Sequence, residues 1–157
     1  MNDAEARVWP AGEEDLDQVA ELLGEFRDWI GAAAPSDDRM LASVERIRAR
    51  GDADYLLGAL GSTRADGVCQ LRYRWSVWTD SEDAWIEDVF VRETGRGLGL
   101  GRALIELALE RARERGCARI ELDVDEGNAA ALALYHRLGF RGDLKADVRS
   151  LLLGRDL

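Results

Sequence analysis

Apolar residues recur along this chain in two rhythms, one helical and one alternating, and the switches between them mark its elements. Helical spacing over Glu13–Ile30 places Leu16, Val19, Ala20, Leu23, Phe26 and Ile30 on one face. After a break at Gly31–Ser36, Ser36 or Asp37 can cap a second helix that runs to about Arg50 and stops at Gly51. Gly99–Arg115 predicts a third helix, with Leu100, Ala103, Leu104, Leu107 and Ala108 facing the core and Gly116 ending it. Asn128–Leu138 predicts a fourth, with Ala131, Leu134, Tyr135 and Leu138 on one side and Gly139 as its stop.

Strands fill the intervals. Ala6–Pro10 and Tyr55–Leu60 read as short ones, with a turn over Gly61–Gly67. In Val68–Trp78 the residues Cys69, Leu71, Tyr73, Trp75 and Val77 alternate with Gln70, Arg72, Arg74 and Ser76, which predicts one core face and one wetter face. Thr79–Asp83 is a turn. Trp85–Arg92 is nearly continuous in apolar residues, as expected of a central strand, yet carries Glu87 and Asp88. Ala118–Val124 follows, and Phe140–Leu153 can supply two closing strands. The order β-α-α-β-β-β-α-β-α-β-β gives antiparallel hairpins first and strand–helix–strand crossovers later. That predicts a single α/β domain over residues 1–157, with a sheet of mixed direction flanked by helices.

Composition narrows the classes. The chain has 157 residues, enough for one domain with a real core. No run of about 18 apolar residues occurs, so no membrane span is expected. The N-terminal MNDAEARVWP lacks a basic segment followed by an apolar stretch, so a cytoplasmic protein is expected rather than a secreted one. Cys69 and Cys117 form no disulfide framework and read as reduced, small core residues. One histidine and two separated cysteines give too few ligands for a zinc site, and no metal is expected. The net charge of −10 argues against a nucleic-acid partner and is compatible with a cationic small-molecule partner.

The candidate chemistry concentrates in VFVRETGRGLGLGR, Val89–Arg102. A strand enters a glycine-dense turn and a helix leaves it. Glycines let a backbone approach a ligand closely, and free N–H groups at a helix start favour an anion. The dinucleotide fingerprint GxGxxG fails, because its third glycine would fall on Arg102 or Leu104. The phosphate loop of nucleoside triphosphatases needs a lysine, and the only one here is the distant Lys145. What fits is R-x-x-G-x-G, as Arg96-Gly97-Leu98-Gly99-Leu100-Gly101.

This loop resembles the pyrophosphate loop of the GNAT-type, acetyl-CoA-dependent N-acetyltransferase superfamily. The segment NAAALALYHRLGF resembles that superfamily's second signature, with Asn128, Ala131, Tyr135, Gly139 and Phe140 in place. The element order agrees over essentially the whole chain. The resemblance implies a GNAT-like, mostly antiparallel sheet and acetyl-CoA as cosubstrate. It implies that Val89, Phe90 and Val91 present backbone to the pantetheine arm, that an N–H near Val89 serves the thioester carbonyl as an oxyanion hole, and that Arg96 to Arg102 hold the pyrophosphate. Asn128 belongs to the cofactor side as well, although as an asparagine it also suits a plain helix cap. A tyrosine at position 135 lies near the CoA sulfur in such enzymes and can protonate it; on its apolar face it could equally be core.

Amine acetylation needs a proton acceptor, since a primary amine is neutral only about once in 10³ molecules at pH 7. Glu87 is the candidate, directly or through water. Alternation puts Glu87 on the face of Val89 and Val91 and Asp88 on the other, unless a bulge re-aims it. The phrase WIEDVFV is weakly similar to the matching strand of polyamine- and diamine-type acetyltransferases, where both carboxylates handle a cationic acceptor. Trp29, Asp37 and Asp38 are further candidates for the acceptor pocket, which is expected to form from the segment between the first two helices and from the last strands. Asp123 and Asp125 read as solvated, and His136 as a surface residue. The expectation is acetyl transfer to a small cationic amine in a ternary complex. The alternatives are an acyl-CoA-binding module without catalysis, an enzyme acting on protein or peptide amines, or a nucleotide-binding regulator. A homodimer is compatible with the resemblance.

Overall fold

The computed structural model describes residues 6–142 and 153–156. Contacts divide the chain into two units, residues 1–123 and 124–157. The first carries β1 (Ala6–Pro10), a 3-10 turn (Glu13–Asp15), α1 (Leu16–Trp29), α2 (Asp37–Ala49), β2 (Ala53–Leu60), β3 (Gly67–Ser76), β4 (Ser81–Val91), α3 (Leu100–Glu114) and β5 (Arg119–Leu122). The second carries α4 (Ala129–Arg137). The expected closing strands fall largely on residues 143–152, outside the described residues.

The sheet of the first unit runs β1-β2-β3-β4-β5, antiparallel up to β4 and parallel between β4 and β5. Both faces are covered where the sheet is central. On one face Val19, Leu22 and Leu23 of α1 and Val44 of α2 pack on Tyr55, Leu57, Val68 and Phe90. The other face takes α3, whose buried residues are Leu100, Leu104, Ile105, Ala108 and Ala112. Ile105 is fully buried although it lies off the stripe read from the sequence. Gly58 permits the close approach of α3, because a Cβ there would lie 2.7 Å from Leu100 Cδ1.

Two-sided covering also changes β3. Its first five residues are all buried, Gln70 included, so the expected wetter face holds only toward the strand's end. There Trp75, expected in the core, is 65% exposed, and Val77 and Trp78 are exposed beyond it. The β3–β4 hairpin extends past the helices that would bury them. β4 begins at Ser81, four residues before the expected start, because the hairpin turn is confined to the tip around Asp80.

Candidate active site

Two irregularities in β4 build the site. Gln70 of β3 pairs with Asp88 and Leu71 pairs with Ile86, so Glu87 is an extra residue, a bulge. Beyond this point β4 also loses its other neighbour, since the pairing with β5 ends at Ile86–Leu122. Among the described residues, no strand continues along that edge past Ile86. The backbone of 87–91 is therefore bulged on one side and open on the other, the arrangement expected for a strand that offers N–H and C=O groups to a ligand.

The bulge corrects the expected facing of the two carboxylates. Glu87 Oε2 lies 3.4 Å from Nη1 of Arg72, and Arg72 shares its face of β3 with Gln70, the partner of Asp88. Glu87 and Asp88 thus turn to the same face, that of α1 and α2, while Val89, opposite Cys69, turns toward α3. One inserted residue breaks the two-residue period on which the alternation rested. Tyr55, fully buried on the carboxylate face, completes the row Tyr55–Gln70–Asp88 across three strands.

The electrostatics of the pair are unequal. Glu87 is exposed and has a cation beside it. Asp88 is half-buried, and burial, with help from the charges of Glu87 and Asp123, pushes its carboxyl up to about 6. Asp123 is exposed, as expected, yet close enough to act on Asp88. Burial pushes the Tyr55 hydroxyl up to about 12. Gln70, Arg72 and Tyr55 were not singled out in the sequence. The available signal was polar residues on the strand that pairs with Glu87–Asp88.

After Val91 the chain turns through Glu93–Gly95 into the glycine loop. Gly97 and Gly99 have φ of +76° and +86°, and the space a Cβ would fill beside each is empty. Gly99 sits at the N-cap of α3 without a side-chain cap, and helical bonding begins with Ala103 N–H donating to Gly99 C=O. The N–H groups of the first turn therefore have no intrahelical acceptor. Positive φ, bare Cα atoms and free N–H groups fit a pyrophosphate, so this loop could hold one. Leu98 is exposed, Leu100 is fully buried as an anchor, and Arg102 is paired with Glu106 at 2.8 Å.

Arg96 is fixed by the protein itself. Its Nε donates to Val91 C=O at 2.9 Å, and its guanidinium lies over the rings of Trp29 and Phe90. Trp29, at the end of α1, stacks on Phe26, which stacks on Phe90. An acidic groove of about 330 Å³ opens between α1 and α2, lined among others by Glu21, Glu25, Asp28, Asp37 and Asp38. Glu87 and Asp88 are not part of its lining. Asp37 there is paired with Arg27 at 2.8 Å.

In the second unit Asn128 caps α4, its side chain accepting from Ala131 N–H at 3.1 Å. The Tyr135 ring meets Phe140 edge-on, with centroids 5.8 Å apart. His136 is exposed. No helix among the described residues is long and apolar enough to cross a membrane, and no group of three or more His, Cys, Asp or Glu among them could hold a metal ion.

Known proteins with this fold are numerous. The acetyltransferase (GNAT) family model matches residues 13–140. The thialysine N-epsilon-acetyltransferase of Sus scrofa is 27% identical over 92% of the chain and 89% of its own length. The L-methionine sulfoximine/L-methionine sulfone acetyltransferase of Pseudomonas aeruginosa is 44% identical over a shorter stretch, 33% of the chain and 30% of its own length. A crystal structure of a protein from Arthrobacter sp. FB24 superposes with a TM-score of 0.85 at 28% identity, covering 96% of each chain. An aminoglycoside N-acetyltransferase in complex with CoA shares the fold with a TM-score of 0.77 at 19% identity, over 97% of this chain and 95% of its own.

Proposed function

This chain belongs to the acetyltransferase (GNAT) family, and from that premise we propose that it transfers the acetyl group of acetyl-CoA to a small cationic amine by direct attack in a ternary complex. The observation that carries the reading is the bulge at Glu87. It turns two carboxylates to one face at the point where the edge of β4 opens, nine residues before Arg96 of the glycine loop.

Acetyl-CoA supplies the activated thioester; the chain supplies position and proton traffic. The first turn of α3 and the glycine loop hold the pyrophosphate. The open edge at Val89–Val91 pairs with the pantetheine amides, and an N–H near Val89 polarises the thioester carbonyl, worth about 3–4 kcal/mol in the transition state when well aimed. The amine arrives protonated and must lose a proton before it attacks. The pair Glu87–Asp88 first attracts the ammonium and then accepts its proton. Glu87 is the expected acceptor, directly or through water. Asp88, held near 6, is as well matched to that task at neutral pH, because it ionises there and still binds a proton readily. Tyr135 gives a proton to the departing thiolate. The acidic chain and the acidic groove between α1 and α2 favour a cationic acceptor. The relatives named for thialysine and methionine sulfoximine agree with a small amine substrate.

The test is acetyl-CoA consumption with an amine panel, run on the native protein and on Glu87→Gln, Asp88→Asn and Tyr135→Phe. The reading expects turnover with small amines, a fall of about 10²-fold or more for a carboxylate variant and about tenfold or more for Tyr135→Phe. Unchanged rates in all three variants would remove the mechanism. Turnover confined to peptide N-termini or neutral amines would remove the acceptor class.

A further inference from the structure

Asp88 is one end of a row of three polar side chains. Tyr55 pairs with Gln70 and Gln70 with Asp88, so the three share one face of adjacent strands, spaced about 4.8 Å per strand. Tyr55 is 1% exposed and Gln70 5%. Among the described residues, none of the three side chains makes a hydrogen bond. Buried polar groups are seldom left so. The polar atoms that are both sealed and unpaired lie elsewhere, on Arg72 and Asp52. The Tyr55 hydroxyl, the Gln70 amide and the Asp88 carboxyl are therefore still within reach of a molecule the size of water. Burial pushes the Tyr55 hydroxyl up to about 12, opposed by Arg72 and helped by the charges of Glu87, Asp88 and Asp52. It stays a donor at neutral pH and does not itself take a proton from an amine. The charges that act on Asp88 are those of Glu87 beside it and Asp123 beyond β5. To the cluster that holds Tyr55, α1 and α2 contribute the apolar Val19, Leu22, Leu23 and Val44.

We propose that Tyr55 and Gln70 are positioning residues that hold a water against Asp88, and that this water carries the proton of the acceptor amine to Asp88. This rests on the reading of Glu87 and Asp88 as the pair that receives the ammonium. A bound water needs about two to four polar partners, and the row supplies three of complementary kinds. The Tyr55 hydroxyl donates to the water, and the water donates to the Gln70 amide oxygen and to the Asp88 carboxylate. One lone pair of the water remains, and the ammonium fills it. In the transfer the ammonium N–H gives its proton to the water as a water O–H gives its proton to Asp88. The water is restored, Asp88 is left neutral, and the amine is free to attack. The relay assigns the proton to Asp88 and leaves Glu87 to attract the ammonium.

The experiment is a mutant cycle at pH 7, with acetyl-CoA and the best amine of the panel, on the native protein, Tyr55→Phe, Gln70→Met, Asp88→Asn and their combinations. Tyr55→Phe and Gln70→Met remove one partner of the water each while nearly keeping volume. Each should lower kcat about tenfold, the worth of one hydrogen bond, with KM for the amine and for acetyl-CoA changed less than about twofold. In the Asp88→Asn background each should cost less than about twofold, because the water then leads to no acceptor. Where Asp88→Asn is too slow for a cycle, the coupling is read between Tyr55→Phe and Gln70→Met, whose combination should cost little more than either alone. The relay is overturned if the losses multiply in full, the mark of separate structural effects, or if kcat is unchanged in both single variants. It is equally overturned if Asp88→Asn is as fast as the native protein, or if the losses fall on KM instead of kcat. Absence of turnover with every amine in the native protein overturns the proposed function and the relay with it, a result distinct from turnover without coupling.

Discussion

The guanidinium of Arg96 lies 4.8 Å from the ring centroid of Trp29, so the first residue of the glycine loop rests on the last residue of α1. The contact joins the element expected to hold the donor to the one expected to frame the acceptor. A second tie, from Arg96 Nε to the Val91 carbonyl, fixes the loop to the open edge of β4. An exposed cation–π contact is worth about 0.5–1 kcal/mol. Trp29→Ala should therefore weaken CoA binding about two- to fivefold, measured by calorimetry, although residue 29 lies outside the glycine loop. Trp29→Phe should lose less than that. Equal CoA affinity in all three proteins would show that Arg96 needs no support from α1.

The three alternating glycines of the loop are not equivalent, and single methyl groups separate their roles. Gly99 has φ of +86°, where an L-residue costs about 1–2 kcal/mol, so Gly99→Ala should lower the melting temperature and weaken CoA binding together. Gly101 lies within the first turn of α3, without positive φ, and its added Cβ would meet Val91 Cγ2 at an ordinary 3.9 Å. Gly101→Ala should keep the fold, and can stabilise α3 by about 0.5–1 kcal/mol. It should nevertheless weaken CoA about five- to tenfold if the backbone must approach the pyrophosphate. Thermal unfolding and calorimetry on the same samples give both numbers. A Gly101→Ala protein that binds CoA normally would show that the loop is only a tight turn.

The donor half of this site could be read along the chain because its signals are local. Gly97 and Gly99 sit at positive φ, where glycine is favoured, and Asn128 caps the helix it precedes, so short segments carry the information. The bulge is different. No glycine marks residue 87, and the insertion exists only as a register shift between Gln70 and Leu71 of the partner strand. Strict alternation therefore placed Glu87 and Asp88 on opposite faces. Arg72 and Gln70 were lost for a related reason: a strand covered on both sides by α1–α2 and α3 has no wet face in its centre, so polar residues there pass for solvated ones. Trp75 and Val77 failed in the other direction, since alternation cannot tell where a hairpin outruns its helices.

Arg92 fastens the end of β4 to α1 and is the strongest candidate for a stability determinant outside the core. Its Nε and Nη2 reach both carboxylate oxygens of Glu25, at 2.9 and 2.7 Å. Nη2 also meets Glu21 at 3.1 Å, and Nη1 donates to the Ala65 carbonyl at 2.8 Å. Geometry of this kind exceeds a surface ion pair, because it is bidentate and partly desolvated. Arg92→Ala should cost about 2–3 kcal/mol in urea unfolding. Arg92→Lys should cost most of that, since an ammonium cannot span both oxygens. A loss below about 0.5 kcal/mol for Arg92→Ala would reduce the network to ordinary surface pairing.

Asp88 gives the protein a pH signature with a definite sign. Its carboxyl is raised from the ordinary 3.8 to about 6 by burial first, then by the charges of Glu87 and Asp123. Between those values the folded chain holds a proton that the unfolded chain has released. Stability must therefore fall as pH rises from about 4 to about 6, and the cost of the buried charge stays in full above that. Asp88→Asn removes the charge, and should stabilise the protein at pH 7 by about 1–2 kcal/mol after allowing for screening at a half-buried site. Catalysis should move the opposite way. Because the site takes up the ammonium and ionised Asp88 accepts its proton, log kcat/KM should be level between about pH 6 and the pKa of the amine, and should fall with unit slope below about pH 6, a limb that vanishes in Asp88→Asn. A profile level from pH 5 to 8, in a native protein that Asp88→Asn nonetheless stabilises, would leave the proton to Glu87 and make Asp88 a binding group alone.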